Sequence, residues 1–460
     1  MNREPTRRAA APHPALGRLP ETSLARRSIP FSPPRALAIV FLLFIALGTG
    51  LLLLPGMTTT PITPLQALFT ATSATMVTGL TVVDTGTTFT WAGQLVLVLL
   101  MKLGGVGTMA FGALALLVSG GKPPLRSQLL VGEATGHTSF RDLGRVIRLA
   151  LFVALLVEGV GALLLMLRFA GDYPFLEALW HAVFHSVAAY NNAGFALWPD
   201  SLVRYATDPL VTLVICAQVV IGGLGFVVLA DPKLFRGRAA LHTRITLAAT
   251  AFLLLAGAAT FWWLEAGNAQ TLGGHPPATQ ALMATFLSVM PRSGGFNNID
   301  MAAMSDGGTV LTMALMFIGG GTGSTAGGVK VTTVVIMLAA TLAVLRQRNE
   351  AVLLGRTLAT ETVFRAFAVL SISGALLLGG FWLLVLTQPL PFEDLLFEAT
   401  SAFATVGLSR GITSQLDPVG QLLLVAMMFI GRLGPLTLAY TLATAVAARV
   451  QYPKAEVYVG

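Results

Sequence analysis

Four short glycine segments stand in register along this chain: Val77-Thr78-Gly79-Leu80, Asn192-Ala193-Gly194-Phe195, Ser293-Gly294-Gly295-Phe296 and Thr405-Val406-Gly407-Leu408. A second glycine cluster follows each of them, beginning at Gly104, Gly222, Gly319 and Gly431. The offsets from Gly79, Gly194, Gly295 and Gly407 to these clusters are 25, 28, 24 and 24 residues. Independent glycines, even in a chain with 48 of them, would not keep such spacing. One structural unit is therefore repeated four times.

Each glycine segment lies between long apolar runs. With 55% of 460 residues hydrophobic and 11% charged, the composition excludes a soluble domain. Runs of about 20 residues, enough for a helix to cross a bilayer, begin near Ala36, Val146, Ile245 and Phe364, and again near Trp91, Pro209, Thr309 and Pro418. Between the members of each pair sits a shorter apolar segment: Leu65 to Met76, Phe175 to Ala189, Ala278 to Met290, and Phe392 to Phe403. These are too short to span, and backbone physics lets them enter the bilayer and return only where the turn is buried in protein or lines water. The expected fold is an all-α polytopic membrane protein of about eight spans, built as four parallel repeats of span, re-entrant segment and span (M1-P-M2). The predicted boundaries are 35–121, 122–231, 232–345 and 346–460, the last including a carboxyl-terminal tail.

Charge orients the spans. Residues 1–34 hold six arginines and seven prolines and read as a disordered basic cytoplasmic arm, with a cleaved signal as the weaker alternative. Through Arg35 and in the even connections lie 22 of the 29 Lys and Arg, so those ends, both termini included, are expected on the cytoplasmic side. Asp84, Asp172, Asp200, Asp300, Asp306, Glu393, Asp394 and Asp417 fall on the opposite side, where surplus carboxylate attracts cations. Because every unit starts at a basic end, the repeats are parallel. They imply a pseudo-fourfold pore axis along the membrane normal, where inverted repeats would suit an alternating-access symporter.

The four segments carry the chemistry of a cation path. Glycine permits positive φ, and turns made that way can aim carbonyl oxygens at an axis, forming a ring of dipoles that replaces the water shell of a monovalent cation. The candidate filter residues are Val77, Thr78, Gly79, Asn192, Ala193, Gly194, Ser293, Gly294, Gly295, Thr405, Val406 and Gly407. The absence of carboxylate in these segments argues against divalent cations. No Ser/His/Asp or paired-carboxylate constellation suggests catalysis. His181 and His185 are four apart but lack a third zinc ligand, and read as packing or filter-supporting residues. Cys216, the single cysteine, excludes an intrachain disulfide.

From Ala36 to the end, the ordered set of motifs resembles the KtrB-type membrane subunit of the Ktr/Trk/HKT superfamily of potassium transporters. It comprises Phe69-Thr70-Ala71-Thr72-Ser73-Ala74 with the first filter segment, and Phe184-His185-Ser186 with the second. It continues with Pro291-Arg292 before the third, Thr400-Ser401-Ala402-Phe403 before the fourth, then Met428 to Thr437 and Tyr452-Pro453 to Gly460. Trk-type relatives usually carry an extra pair of spans before the first repeat, where this chain has a polar arm. The resemblance implies potassium as the transported substrate, with sodium as a candidate activator and no cofactor on this chain. It also implies a homodimer in the cytoplasmic (inner) membrane and a cytosolic KtrA-type ring binding ATP or ADP. In the family, glycine at the Gly79 position goes with potassium, and serine with relatives that favour sodium. Met290, Ser293 and Gly294 depart from the family's Thr, Thr and Ala, which suggests looser selectivity. A sodium- or proton-coupled symporter is the rival reading; only Glu158 offers a midplane acid.

The third unit is interrupted by Gly319-Gly320-Gly321-Thr322-Gly323-Ser324-Thr325-Ala326-Gly327-Gly328 where its second span should run. Each glycine costs roughly 1 kcal/mol against alanine in a helix, and the segment lacks the ending of a phosphate-binding loop, so a mobile pore-lining gate is expected. The resemblance implies the same: an intramembrane gating loop. Arg432 takes the place of Gly105, Gly223 and Gly320 and is expected to bond to that loop's carbonyls and bar cations. Arg292 is expected to brace the third turn from behind. Lys102, where the family usually has glutamine, either pairs with Glu158 or stands as a second barrier near the axis.

Overall fold

A computed structural model describes residues 33–118, 140–231, 239–348 and 350–434, with side chains from 37 to 105 and from 148 onward within those ranges. The basic arm through residue 32, most of the two basic connections after residues 118 and 231, and the carboxyl-terminal tail lie outside the described residues.

Helices follow in order: α1 Pro33–Leu52, α2 Pro64–Thr75, α3 Trp91–Val118, α4 Phe140–Phe169, α5 Phe175–Tyr190 and α6 Pro209–Leu224. They continue with α7 Leu241–Glu265, α8 Pro277–Val289, α9 Asp306–Phe317, α10 Val331–Leu345, α11 Thr360–Thr387, α12 Phe392–Phe403 and α13 Pro418–Leu433. A small hairpin, β1 Val352–Leu353 with β2 Arg356–Thr357, links α10 to α11. Helix starts obey local chemistry. Thr63 and Gln66 form a capping box ahead of Pro64. Asp208-Pro209 and Asp417-Pro418 open α6 and α13 with a carboxylate on first-turn N–H groups and proline at the first position.

Packing runs in a closed circuit. Within α1–α3, α4–α6, α7–α9 and α11–α13 each helix touches the other two. Between these trios α3 packs on α5, α6 on α8, α9 on α12, and α13 returns to α2. The short helices are thereby enclosed: every residue of α2 from Phe69 to Thr75 is buried. The long helices instead turn large apolar side chains outward, including Phe152, Leu155, Phe252, Leu255, Phe364 and Trp382. An apolar exterior of this extent is stable against lipid and not against water.

Among the described residues, three helical stretches are long and apolar enough to cross a membrane: Arg148–Phe169, Leu241–Glu265 and Thr360–Thr387. The expectation of uninterrupted second spans fails in more places than the third unit. At Gly225, α6 stops with φ +85, and at Gly434 α13 stops with φ +84. Positive φ cannot continue a right-handed helix. In the third unit α9 ends at Phe317 and the chain resumes as α10 only at Val331. By contrast α3 runs unbroken through Gly107.

Candidate functional site

Each of α2, α5, α8 and α12 ends just before its glycine segment, and each segment turns on two left-handed residues. The glycines have φ of +98 at Gly79, +68 at Gly194, +75 at Gly295 and +99 at Gly407. Two residues earlier, Val77 (+57), Asn192 (+59), Ser293 (+83) and Thr405 (+49) are left-handed as well. For β-branched Val77 and Thr405 this is a strained conformation, retained only where the surroundings over-determine it. Hydroxyls help to fix the turns: Gly79 N–H donates to Ser73 Oγ and Gly407 N–H to Ser401 Oγ, both at 3.1 Å.

The four turns meet in a ring. A Cβ built on Gly79 would stand 2.5 Å from the Ala193 carbonyl oxygen, and one on Gly194 3.3 Å from that of Gly294. One on Gly295 would stand 2.3 Å from the Val406 oxygen, and one on Gly407 2.1 Å from that of Thr78. So each glycine makes room for the carbonyl before the next glycine, and the fourth hands back to the first. Ser293 Oγ also donates to the Thr405 carbonyl at 2.8 Å. The Thr78 and Thr405 hydroxyls are buried and have no protein partner. The sequence-predicted filter residues are thus brought together at one point.

The segment 319–328 lies against this ring. Its Gly327 N–H donates to Ser293 Oγ at 3.1 Å, and Thr325 Oγ1 stands 3.2 Å from the Asn192 side chain. A Cβ on Gly327 would lie 2.5 Å from the Ala404 carbonyl oxygen. On its other side the segment binds the open end of α6. Gly321 N–H donates to Gly223 O at 2.8 Å and Thr325 N–H to Gly222 O at 3.3 Å. The break at Gly225 leaves those carbonyls without helical partners, and the loop supplies donors for them.

Three cations hold the loop. Arg432, 8% exposed, donates to the Thr325 carbonyl and, at 2.9 Å, to that of Gly104. Arg292 donates to the Gly319 carbonyl at 3.3 Å and Thr250 Oγ1 at 3.5 Å, so it ties the third turn to the loop's first residue. Lys330, which the sequence reading did not single out, donates to Ala326 O at 2.6 Å. Its signal was a cation two residues after the glycine-rich segment, inside an otherwise apolar run. Of the two readings left open for Lys102, the ion pair with Glu158 is the one formed.

His185 supports the second turn: its Nε2 accepts from Leu197 N–H at 3.2 Å and its ring stacks on Trp198, centroids 4.2 Å apart. No group of three or more His, Cys, Asp or Glu suited to a metal occurs among the described residues. Cys216 is buried and free. Several acids on the side expected to face outward also have local partners. Asp84, Asp208, Asp300 and Asp417 cap helices, Asp172 and Asp208 pair with Arg168, Asp200 with Arg204, and Asp394 with Arg410.

A lipid-facing shell of apolar helices around a buried ring of backbone carbonyls defines an integral membrane protein of the ion-transporting class. A model of the TrkH family, described as cation transport proteins, matches residues 16–451, and the chain belongs to that family. It is similar to the Ktr system potassium uptake protein B of Bacillus subtilis, at 40% identity over 94% of this chain and 97% of that one. Against the protein of the same name from Vibrio alginolyticus the identity is 39%, over 93% and 95%. The potassium/sodium uptake protein NtpJ of Enterococcus hirae shares 34%, over 93% and 97%. The crystal structure of the potassium transporter TrkH from Vibrio parahaemolyticus matches the fold with a TM-score of 0.71 at 19% identity, covering 91% of this chain and 86% of that one.

Proposed function

We propose that this protein carries potassium across the cytoplasmic membrane through a channel-like pore, with both termini inside. In this reading the trios are four M1-P-M2 repeats about a pseudo-fourfold axis. The observation that carries it is the closed ring in which each filter glycine faces the carbonyl preceding the next. Carbonyl dipoles at such spacing substitute for hydration water around a monovalent cation, and the carboxyl-terminal ends of four short helices add negative potential there. Potassium is the cargo the names of the relatives favour, while the potassium/sodium name of one of them, with Ser293 and Gly294 in the third turn, suits modest discrimination.

Residues 319–328 act as the gate. Arg432 and Lys330 put positive charge beside the path and hold the loop across it, and release of these bonds opens it. Regulation comes from a cytosolic nucleotide-binding ring of the KtrA type, binding ATP or ADP, docked on a homodimer of this chain; sodium serves as activator. The rival symporter reading needs an acid free to exchange its cation, and Glu158, the acid it would use, is engaged by Lys102 and Asn191, while Glu265 and Glu398 are buried as well.

Flux of potassium and sodium into proteoliposomes tests this. Wild type is expected to prefer potassium, Gly79→Ser to lose the preference, and deletion of residues 319–328 to accelerate flux. Flux indifferent to both changes, or dependent on a gradient of a second ion, would sink the reading.

A further inference from the structure

The ion pair between α3 and α4 ends at the second filter turn. Lys102 Nζ donates to both oxygens of Glu158, which is 5% exposed. The same Oε1 accepts from Asn191 Nδ2 at 2.9 Å, and Nδ2 also donates to Val187 O at 2.9 Å. Asn191 is the residue that closes α5, directly before left-handed Asn192. Moving its amide therefore moves the first peptide of the turn. A Cβ on Gly105 would lie 2.2 Å from Asn191 Oδ1, so α3 presses on the same amide. The backbone of Glu158 is pinned too: its carbonyl accepts from Ser186 Oγ at 2.7 Å, and that hydroxyl accepts from Gln218 Nε2 at 2.6 Å.

The device is local to one quarter of the ring. Counting two residues back from the second glycine cluster, Lys102 corresponds to Val220, Phe317 and Phe429, all apolar. A largely enclosed charge pair, here with 25% of the Lys102 side chain exposed, seldom stabilises a fold better than apolar packing, though breaking one is costly. Charge at bilayer depth, moreover, is usually tied to function. Packing alone does not call for Lys102 here; a buried carboxylate that must be held with one oxygen on Asn191 does.

Resting on the reading of the four turns as a cation filter, we propose that Lys102 and Glu158 form a positioning pair. Lys102 orients the Glu158 carboxylate, which holds the Asn191 amide and so the Asn192–Gly194 backbone at the spacing that discriminates potassium from sodium. Neither residue touches the ion.

A double-mutant cycle read as the potassium-to-sodium flux ratio in proteoliposomes tests it, with thermal unfolding of each variant measured alongside. Lys102→Met and Glu158→Gln are each expected to lower the ratio about tenfold, the order that coupling across one buried pair gives. In Lys102→Met/Glu158→Gln the glutamine oxygen again accepts from Asn191 without a competing lysine, and the ratio should return to within about threefold of wild type. Asn191→Ala should lower it with no rescue by Lys102→Met. If Glu158→Gln does not fold, Lys102→Gln and Asn191→Ala supply the comparison. Ratios within twofold of wild type in the single variants, or a double variant no better than its worse parent, overturn the proposal. Gly79→Ser runs as the control: if it too leaves the ratio unmoved, the filter reading fails and not this pairing alone.

Discussion

At the scale of single residues, the ring makes a sharp distinction between glycines. Gly407 has φ +99, and a Cβ there would stand 2.1 Å from the Thr78 carbonyl oxygen. Gly407→Ala should therefore cut potassium uptake tenfold or more at equal membrane abundance. Gly379, inside α11 with nothing within 4 Å of its Cβ position, is the contrast. Gly379→Ala should leave uptake unchanged and raise stability by about 0.5–1 kcal/mol through helix propensity, read by thermal unfolding in detergent. The filter glycines were legible because their spacing recurs. The left-handed backbone at Val77, Asn192, Ser293 and Thr405 was not, although all four stood among the candidate residues, since nothing in a valine or threonine marks a conformation that only the assembled ring imposes. Glu265 was equally silent. It is fully buried, and its carboxylate accepts from Asn268, Thr271 and both the N–H and hydroxyl of Ser305, partners up to 40 residues away in the chain.

At the scale of elements, apolar run length announced the long helices and placed the starts of α2, α6 and α13 within a residue of Pro64, Pro209 and Pro418. The breaks at Gly225 and Gly434 escaped because a glycine cluster alone does not decide them: α3 runs unbroken through a similar one, Gly104 to Gly107. Tertiary bonding decides them: the 319–328 segment donates to the carbonyls of Gly222 and Gly223, so an end of α6 becomes its seat. The contact of Arg432 with that segment could be anticipated, because one bulky cation stood where three units have glycine. Arg432→Ala should raise unstimulated flux about tenfold, the coupling expected of two buried charge-assisted hydrogen bonds. Arg432→Lys should fall between, since an ammonium cannot span the Thr325 and Gly104 carbonyls as a planar fork does. Rates from vesicles without a regulatory partner check both, and an unchanged rate for Arg432→Ala counts against the latch.

At the scale of the whole molecule, the closed circuit of helix contacts buries the short helices and leaves the perimeter to lipid. Leu255, 73% exposed in the middle of α7, marks that perimeter. Leu255→Arg should impair membrane integration by about 2.5–3.5 kcal/mol. Val344→Arg, at an equally exposed site one residue from the end of α10, should be tolerated because its head can reach the interface. Integration assays on the two variants compare them directly. The ring also closes within one polypeptide, so its heritable unit is a quarter. A single codon change alters one carbonyl neighbour and leaves three standing, whereas in four identical chains it would strike all of them together. The quarters can therefore differ without breaking the ring, as the glycine-rich run from Gly319 to Gly328, found in the third unit alone, already does.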